Sequence, residues 1–253
     1  MKNSVLVLQS HRDPLPYRFL NTCLASVRYW ADFNNYSYRF IGDELFEPIP
    51  TTIMNRCSDQ PVIATDIGRL YAIERALTEG FDTVVWCDAD FLIFNPLGLS
   101  LVDQSYAMGR EIWIERDERG KLRARVKVHN AFMMYRRGNS FLNFYLDTAL
   151  RLVGCNIGSL PPQFVGPKLL TALHNVVQLP VVETAAMLSP ALIHDLIAGG
   201  GSALELHNTR ATVAPAGFNL CSSLAANEEL TIGEIESVIE LLQHPDSRRN
   251  FLK

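Results

Sequence analysis

Thr83-Val84-Val85-Trp86-Cys87-Asp88-Ala89-Asp90 is the stretch on which the reading of this sequence turns. Its β-branched and aromatic residues predict a central strand over Thr83–Cys87. That strand runs directly into two acids, at the carboxyl end where open α/β sheets bind ligands. In extended chain, residues i and i+2 point the same way, so Asp88 and Asp90 are expected to converge, with Ala89 keeping the turn small. Two convergent carboxylates repel by about 3 kcal/mol at ~5 Å and an effective dielectric of ~20. Protonating one, or binding a cation between them, relieves the cost. Hard oxygen ligands suit Mg²⁺ or Mn²⁺, with phosphate oxygens completing the shell. A triplet this short also reads as a solvated acidic turn, so its neighbours decide its weight.

Working outward, Val5–Leu8 is a short apolar run that predicts a buried strand. Leu20, Cys23, Leu24, Val27 and Ala31 then recur at helical spacing. Tyr36–Ile41 predicts a second strand, and this β-α-β opening favours a parallel sheet. Ala64–Leu77 is apolar along one side and predicts a helix, with Thr65 or Asp66 placed to cap it. Further on, Val128–Tyr135 predicts a strand, Phe141–Val153 a helix and Lys168–Leu173 a short helix. The Gly- and Pro-rich 154–167 segment predicts a loop. Ala198–Ser202 reads as a turn between Leu192–Ile197 and a strand over Ala203–Leu206. Thr231 and Glu234 match a capping box, ahead of the stripe Ile235, Val238, Ile239 and Leu242. Together these elements predict one α/β domain over residues 1–253, a mostly parallel central sheet flanked by helices.

With 48% hydrophobic and 20% charged residues, the chain has ordinary globular composition. A net charge of −4 argues against a dedicated nucleic-acid binder. The one basic-rich stretch, Arg116–Lys127, reads as a solvated loop or hairpin. No run approaches the roughly 20 apolar residues of a membrane span, and Val5–Leu8 is too short for a signal-peptide core. A cytoplasmic location is the default expectation. Five cysteines without CxxC spacing imply reduced thiols rather than a disulfide framework or zinc site.

Thr65-Asp66-Ile67-Gly68-Arg69-Leu70 precedes the acidic pair by about 20 residues. Downstream stand Asn130-Ala131-Phe132-Met133, then Gly138-Asn139-Ser140-Phe141-Leu142, then Gly166-Pro167-Lys168-Leu169-Leu170-Thr171. In that order these segments resemble the signature of the DxD glycosyltransferases. That family contains the yeast initiating α-mannosyltransferases, bacterial capsular and lipopolysaccharide sugar transferases and the large clostridial glucosylating toxins. Where the family usually has Gly-Gly-(Ile/Val)-Tyr before its DxD, this chain has Glu79-Gly80-Phe81-Asp82-Thr83. With Asn95-Pro96 behind it, that version is similar to related galactosyl- and xylosyltransferase families, so the subfamily stays open.

The resemblance implies the GT-A nucleotide-diphospho-sugar transferase fold, a UDP- or GDP-sugar donor and a Mn²⁺ or Mg²⁺ ion on Asp88 and Asp90. It implies that Asp66 and Asn130 contact the donor sugar, and that Arg69 contacts sugar or phosphate. Asp66 and Arg69, three apart on a helix, share one face, which also admits a plain intrahelical salt bridge; Asn130 equally reads as a strand-edge amide bonded to backbone. His207 is the candidate third metal ligand, although Thr209-Arg210 replace the family's usual aromatic residues after it, and it equally reads as a surface or core histidine. Ser10 and Arg12, just past the first strand, are candidates for meeting the nucleotide. The resembled families transfer with retention. With no third acid standing out near the pair, same-face attack is expected, the donor's diphosphate oxygen taking the acceptor proton. The acceptor stays open among glycan, lipid-linked sugar, protein, nucleic-acid base and small molecule; loops at 100–127 and 154–167 are expected to shape its pocket.

Two rivals use the same carboxylates. A nucleotidyl- or phosphotransferase calls for a Gly-rich loop after the first strand, where this chain has Gln9-Ser10-His11-Arg12. A non-catalytic sugar-nucleotide-binding subunit would keep the pocket and lose turnover.

Overall fold

A computed structural model describes residues 4–227 and 229–244. In chain order the elements are β1 (Val5–Ser10), α1 (Phe19–Phe33), β2 (Ser37–Ile41), α2 (Thr51–Arg56), α3 (Pro61–Thr78), β3 (Thr83–Cys87), β4 (Phe91–Ile93), β5 (Tyr106–Arg116) and β6 (Leu122–Arg136). There follow α4 (Phe141–Cys155), α5 (Pro167–Val177), β7 (Val181–Val182), β8 (Ala185–Met187), α6 (Pro190–Ala198), α7 (Ser202–Arg210), β9 (Gly217–Asn219), α8 (Ser223–Ala226) and α9 (Ile232–Gln243).

The main sheet has the order β2-β1-β3-β6-β5-β7. β1 pairs parallel with both β2 and β3, and β7 parallel with β5, while β6 is antiparallel to its two neighbours. Both faces of the parallel half are covered, as a β-α-β connection requires. Leu6, Leu8, Val84 and Trp86 pack under Ile63, Ile67, Leu70 and Ile73 of α3. The alternate residues Val5, Val7, Val85 and Cys87 pack against Val27, Trp30 and Ala31 of α1. The period of two in β1 and β3 therefore divides their residues between two buried faces. A second sheet, β4-β9-β8, carries a further core shared with α6, α9 and the first turns of α1.

Several expectations are corrected. Helix α3 begins at Pro61, not near Ala64, with Gln60 before it. Proline at the first helical position sacrifices no bonded N–H, so Thr65 and Asp66 lie inside the helix instead of capping it. The expected strand over Ala203–Leu206 is the start of α7. Its three preceding glycines, all at positive φ, break the chain and let Asp195 accept hydrogen bonds from the Ala203 and Leu204 amides. Much of the expected 100–127 loop is strand, because β5 and the start of β6 form a long hairpin. Three of the basic residues within it are paired with acids of the hairpin, as Arg123–Asp117, Arg125–Glu115 and Lys127–Glu111. The capping box at Thr231 and Glu234 forms with both of its hydrogen bonds. Among the described residues, no helix is long and apolar enough to cross a membrane.

Candidate active site

Strand β3 delivers Asp88 to the carboxyl edge of the sheet. There the chain turns: Phe91 N–H donates to the Asp88 carbonyl at 3.0 Å, so residues 88–91 form a tight turn instead of continuing the strand. A turn therefore stands where extended chain was expected, and the two carboxylates have different partners. Asp88 Oδ1 accepts from the Trp86 indole N–H at 2.7 Å and pairs with Arg69 Nη1 at 3.1 Å. Asp90 Oδ1 accepts from Asn219 Nδ2 at 2.7 Å, and its Oδ2 from the Ser222 amide at 2.7 Å. Main-chain contacts fix the turn further: Asp88 N–H donates to Ala131 O, and Gln9 Nε2 donates to Asp88 O at 3.1 Å.

Behind Asp88 lies a buried polar group. Arg69 extends from α3 under β3, its guanidinium 5.4 Å from the Trp86 ring centroid. It donates to the Asn130 carbonyl at 2.9 Å and lies 3.3 Å from Asp66 Oδ1. That same oxygen accepts from Asn130 Nδ2 at 2.8 Å. Asp66 Oδ2 and Arg69 Nε are buried without a hydrogen-bond partner. Such orphans ordinarily cost about 1–3 kcal/mol each, more for charged groups, and call for an explanation. Gly166, just ahead of α5, closes the group. A Cβ built there would stand 2.5 Å from Asp66 Oδ2 and 2.8 Å from Asn130 Nδ2, so the backbone packs directly against both side chains and only glycine fits. The Asp66, Arg69, Asp88, Asn130 and Gly166 singled out in the sequence thus form one constellation.

Arg69 pairs with Asp66 and Asp88, and Asp90 stands beside them on Asn219 and Ser222, so three carboxylates face one guanidinium with two surplus negative charges. Burial raises the Asp88 carboxyl to about 6; Arg69 pulls it down and the Asp90 charge pushes it up again. A quarter of the Asp88 side chain remains reachable by solvent. Asp66 is also raised by burial, against the opposing influence of Arg69 and Asn130. Two hard carboxylates with that surplus fit a divalent cation of the Mg²⁺ kind, which takes one or two protein carboxylates and fills its shell with water and phosphate.

The remaining candidates fall elsewhere. Ser10 closes β1, and the pairing of Leu8 with Trp86 sets it level with Asp88 at the same sheet edge; Arg12 is exposed beyond it. The expected role of His207 as third ligand is not borne by this geometry. Helix α7 turns the ring inward, where it is fully buried 6.3 Å from the Phe218 ring, and burial lowers its pKa. Among the described residues, no group of three or more His, Cys, Asp or Glu side chains is arranged to hold a metal. Residues that the sequence reading missed are Gln9, Trp86 and Asn219, each tied to Asp88 or Asp90. Only Trp86 carried a signal, standing two positions before Asp88 on a strand and so on the same face.

No protein-family model matches the chain, and no curated protein matches its sequence. Among solved structures, it is similar to a glycosyltransferase involved in glycosylation of the major capsid of PBCV-1, with TM-score 0.50 and 11% identity over 89% of this chain and 98% of that one. The shared fold is the GT-A glycosyltransferase fold. Weaker matches are the galactosyltransferase LgtC, at TM-score 0.43 and 12% identity over 97% of this chain and 99% of that one, and a Drosophila β-1,4-galactosyltransferase 7, at TM-score 0.26 and 12% identity over 68% and 74%.

Proposed function

We propose that residues 1–253 act as one GT-A glycosyltransferase domain that moves a sugar from a UDP- or GDP-sugar to an acceptor, with retention and with Mn²⁺ or Mg²⁺. The observation that carries this reading is the buried Asp66–Arg69–Asp88–Asn130 group beside Asp90, with its orphan polar atoms and its excess of negative charge. Asp88 and Asp90 hold the cation, which when bound neutralises the diphosphate leaving group. Asp66 accepts hydrogen bonds from donor-sugar hydroxyls through Oδ2, its oxygen without a partner. Asn130 contacts the donor sugar and holds Asp66 in position. Arg69 contacts sugar or phosphate and limits repulsion among the three acids. Ser10 and Arg12 meet the nucleotide at the sheet edge.

Same-face attack is favoured over a covalent sugar–enzyme adduct because the three acids of the group, Asp66, Asp88 and Asp90, are all assigned to donor and metal binding, which leaves no separate nucleophile among them. The donor's own diphosphate oxygen then takes the acceptor proton. The test is nucleotide release from a panel of UDP- and GDP-sugars with Mn²⁺, alongside Asp88→Asn and Asp90→Asn. Metal-dependent release by the parent chain and its loss in both folded variants is the expected result. Full activity in either variant removes the assignment.

A further inference from the structure

The β5–β6 hairpin reaches past the sheet edge that carries Asp88. Met108 of β5 lies opposite Met133 of β6, which lies opposite Trp86 of β3. Both β3 and β5 run antiparallel to β6, so residues beyond Met108 continue in the direction in which β3 runs into Asp88. At Met108/Gly109 the register shifts, and β5 next pairs Gly109 with His129. Beyond that irregularity, Glu111 and Trp113 share a face, because they stand two apart on a strand.

That face can be oriented. His129, opposite Gly109, accepts the Ala131 N–H at Nδ1, which leaves Nε2 to donate to the Ala185 carbonyl of β8 at 3.2 Å. The face therefore looks toward the second sheet, where β9 ends at Asn219 and leads to Cys221. The Glu111 carboxylate, with only 8% of its side chain exposed, is paired across the strand with Lys127 at 3.6 Å. Its charge reaches Cys221 and helps to hold that thiol protonated, after burial and Asp90. Cys221 Sγ lies 3.1 Å from Asn219 Oδ1, and Asn219 holds Asp90. A further carboxylate thus stands on the Asp90 side of the site, and the donor chemistry above makes no use of it.

Trp113 is half-buried on the rim of the core that also bears Leu15, Tyr17 and Cys221. The other two tryptophans, Trp30 and Trp86, are fully buried. An accessible aromatic ring beside a sheltered acceptor-only carboxylate is the chemistry that recognises a sugar. The ring covers an apolar C–H face, and the carboxylate accepts a charge-assisted bond from a hydroxyl.

We infer that Glu111 and Trp113 form the acceptor subsite and that the acceptor is a carbohydrate, stacked on Trp113 and hydrogen-bonded through a hydroxyl to Glu111. This inference rests on reading Asp88 and Asp90 as the donor centre.

The test titrates the full chain, without donor, with methyl α- and β-glycosides of glucose, galactose, mannose and N-acetylglucosamine. Binding is followed by tryptophan fluorescence and by saturation-transfer NMR. At least one glycoside binds saturably and changes the fluorescence, since Trp113 is the accessible indole. Trp113→Phe keeps the packing and removes the fluorescence change. Losing the platform in Trp113→Ala, or the charged acceptor in Glu111→Gln, weakens the NMR-detected affinity about tenfold, with melting temperatures checked in each variant. No saturable binding of any glycoside, or affinity equal to the parent chain's in folded Trp113→Ala and Glu111→Gln, overturns the inference. Because donor is absent, a negative result here bears on the acceptor subsite alone, and nucleotide release by the parent chain tests the donor centre separately.

Discussion

Asp90 Oδ1 and Asn219 Nδ2 meet at 2.7 Å although 129 positions separate them in sequence. The contact joins the turn after β3 to the end of β9, and so ties the acidic pair to the second sheet. Replacing Asn219 with Ala removes a partner that orients a proposed metal ligand. Losses of this kind typically weaken metal affinity about 10- to 100-fold. Titration of Mn²⁺ by electron paramagnetic resonance checks this; unchanged affinity separates Asn219 from the metal site.

Arg69 is the cation that pairs with both Asp66 and Asp88, and both it and Asp66 are almost fully buried. Substituting Arg69→Met leaves two acids uncompensated and costs about 3–5 kcal/mol of stability. Urea denaturation at neutral pH measures the loss. The loss shrinks in acid, where Asp66 and Asp88, both raised by burial, take up protons.

Asp88 sets a pH window. Its carboxyl rises from an ordinary 3.8 to about 6 in the fold, so the folded state binds the proton more tightly than the unfolded chain. The stabilisation is complete below about 3.8 and is lost as pH rises through about 6. At pH 7.5 without metal, Asp88→Asn therefore melts above the parent chain, by up to ~3 kcal/mol in stability. Mn²⁺ then stabilises the parent and not the variant. Conversely, Mn²⁺ affinity of the parent falls as pH drops through 6. Trp86→Phe removes a bond that lowers the Asp88 pKa, so it moves that midpoint upward. Differential scanning calorimetry across pH, with and without Mn²⁺, reads all three effects.

His129 behaves in the opposite sense. Burial holds its ring down to about 4, against an ordinary 6.5. The unfolded chain takes the proton first, so stability falls as pH drops below about 6.5 and the loss is complete below about 4, for ~3 kcal/mol in total. A His129→Gln variant shows a flatter pH dependence across that window in denaturant titrations.

Gly166 admits no side chain. In Gly166→Ala the methyl meets Asp66 Oδ2 and Asn130 Nδ2 well inside contact distance, and the crowding costs about 1–3 kcal/mol. Nucleotide release falls much further than stability does, because the methyl displaces Asp66 and Asn130, the residues proposed to contact the donor sugar. Activity retained at the parent level shows that transfer does not depend on the placement of Asp66 and Asn130.

Much of this site was legible because its local signals agreed. The apolar run Thr83–Cys87 ends in acids and is a buried strand. Asp66 and Arg69, three apart, do share a helical face and do pair. Asn130 and Gly166 were found through motif order, and the fold brings them to Asp66. Other features were hidden where tertiary packing outweighs local preference. Asp66 looks like a helix cap, yet packing and Pro61 carry the helix a full turn earlier. Tyr106–Arg116 mixes charges with apolar residues and resembles a loop until β6 pairs with it. His207 was expected after a strand, and the helix that replaces the strand turns it into the core. Asn219, Gln9 and Glu111 act through contacts made across the fold, which no local window in the sequence contains.

The central claim is that Asp88 and Asp90 together hold a divalent ion against a diphosphate. A crystal grown with Mn²⁺ and UDP, measured at the manganese absorption edge, tests it directly. The account predicts an anomalous peak bonded at ~2 Å to one oxygen each of Asp88 and Asp90 and to phosphate oxygens. UDP bound with no such peak, or manganese bound away from both aspartates, contradicts it.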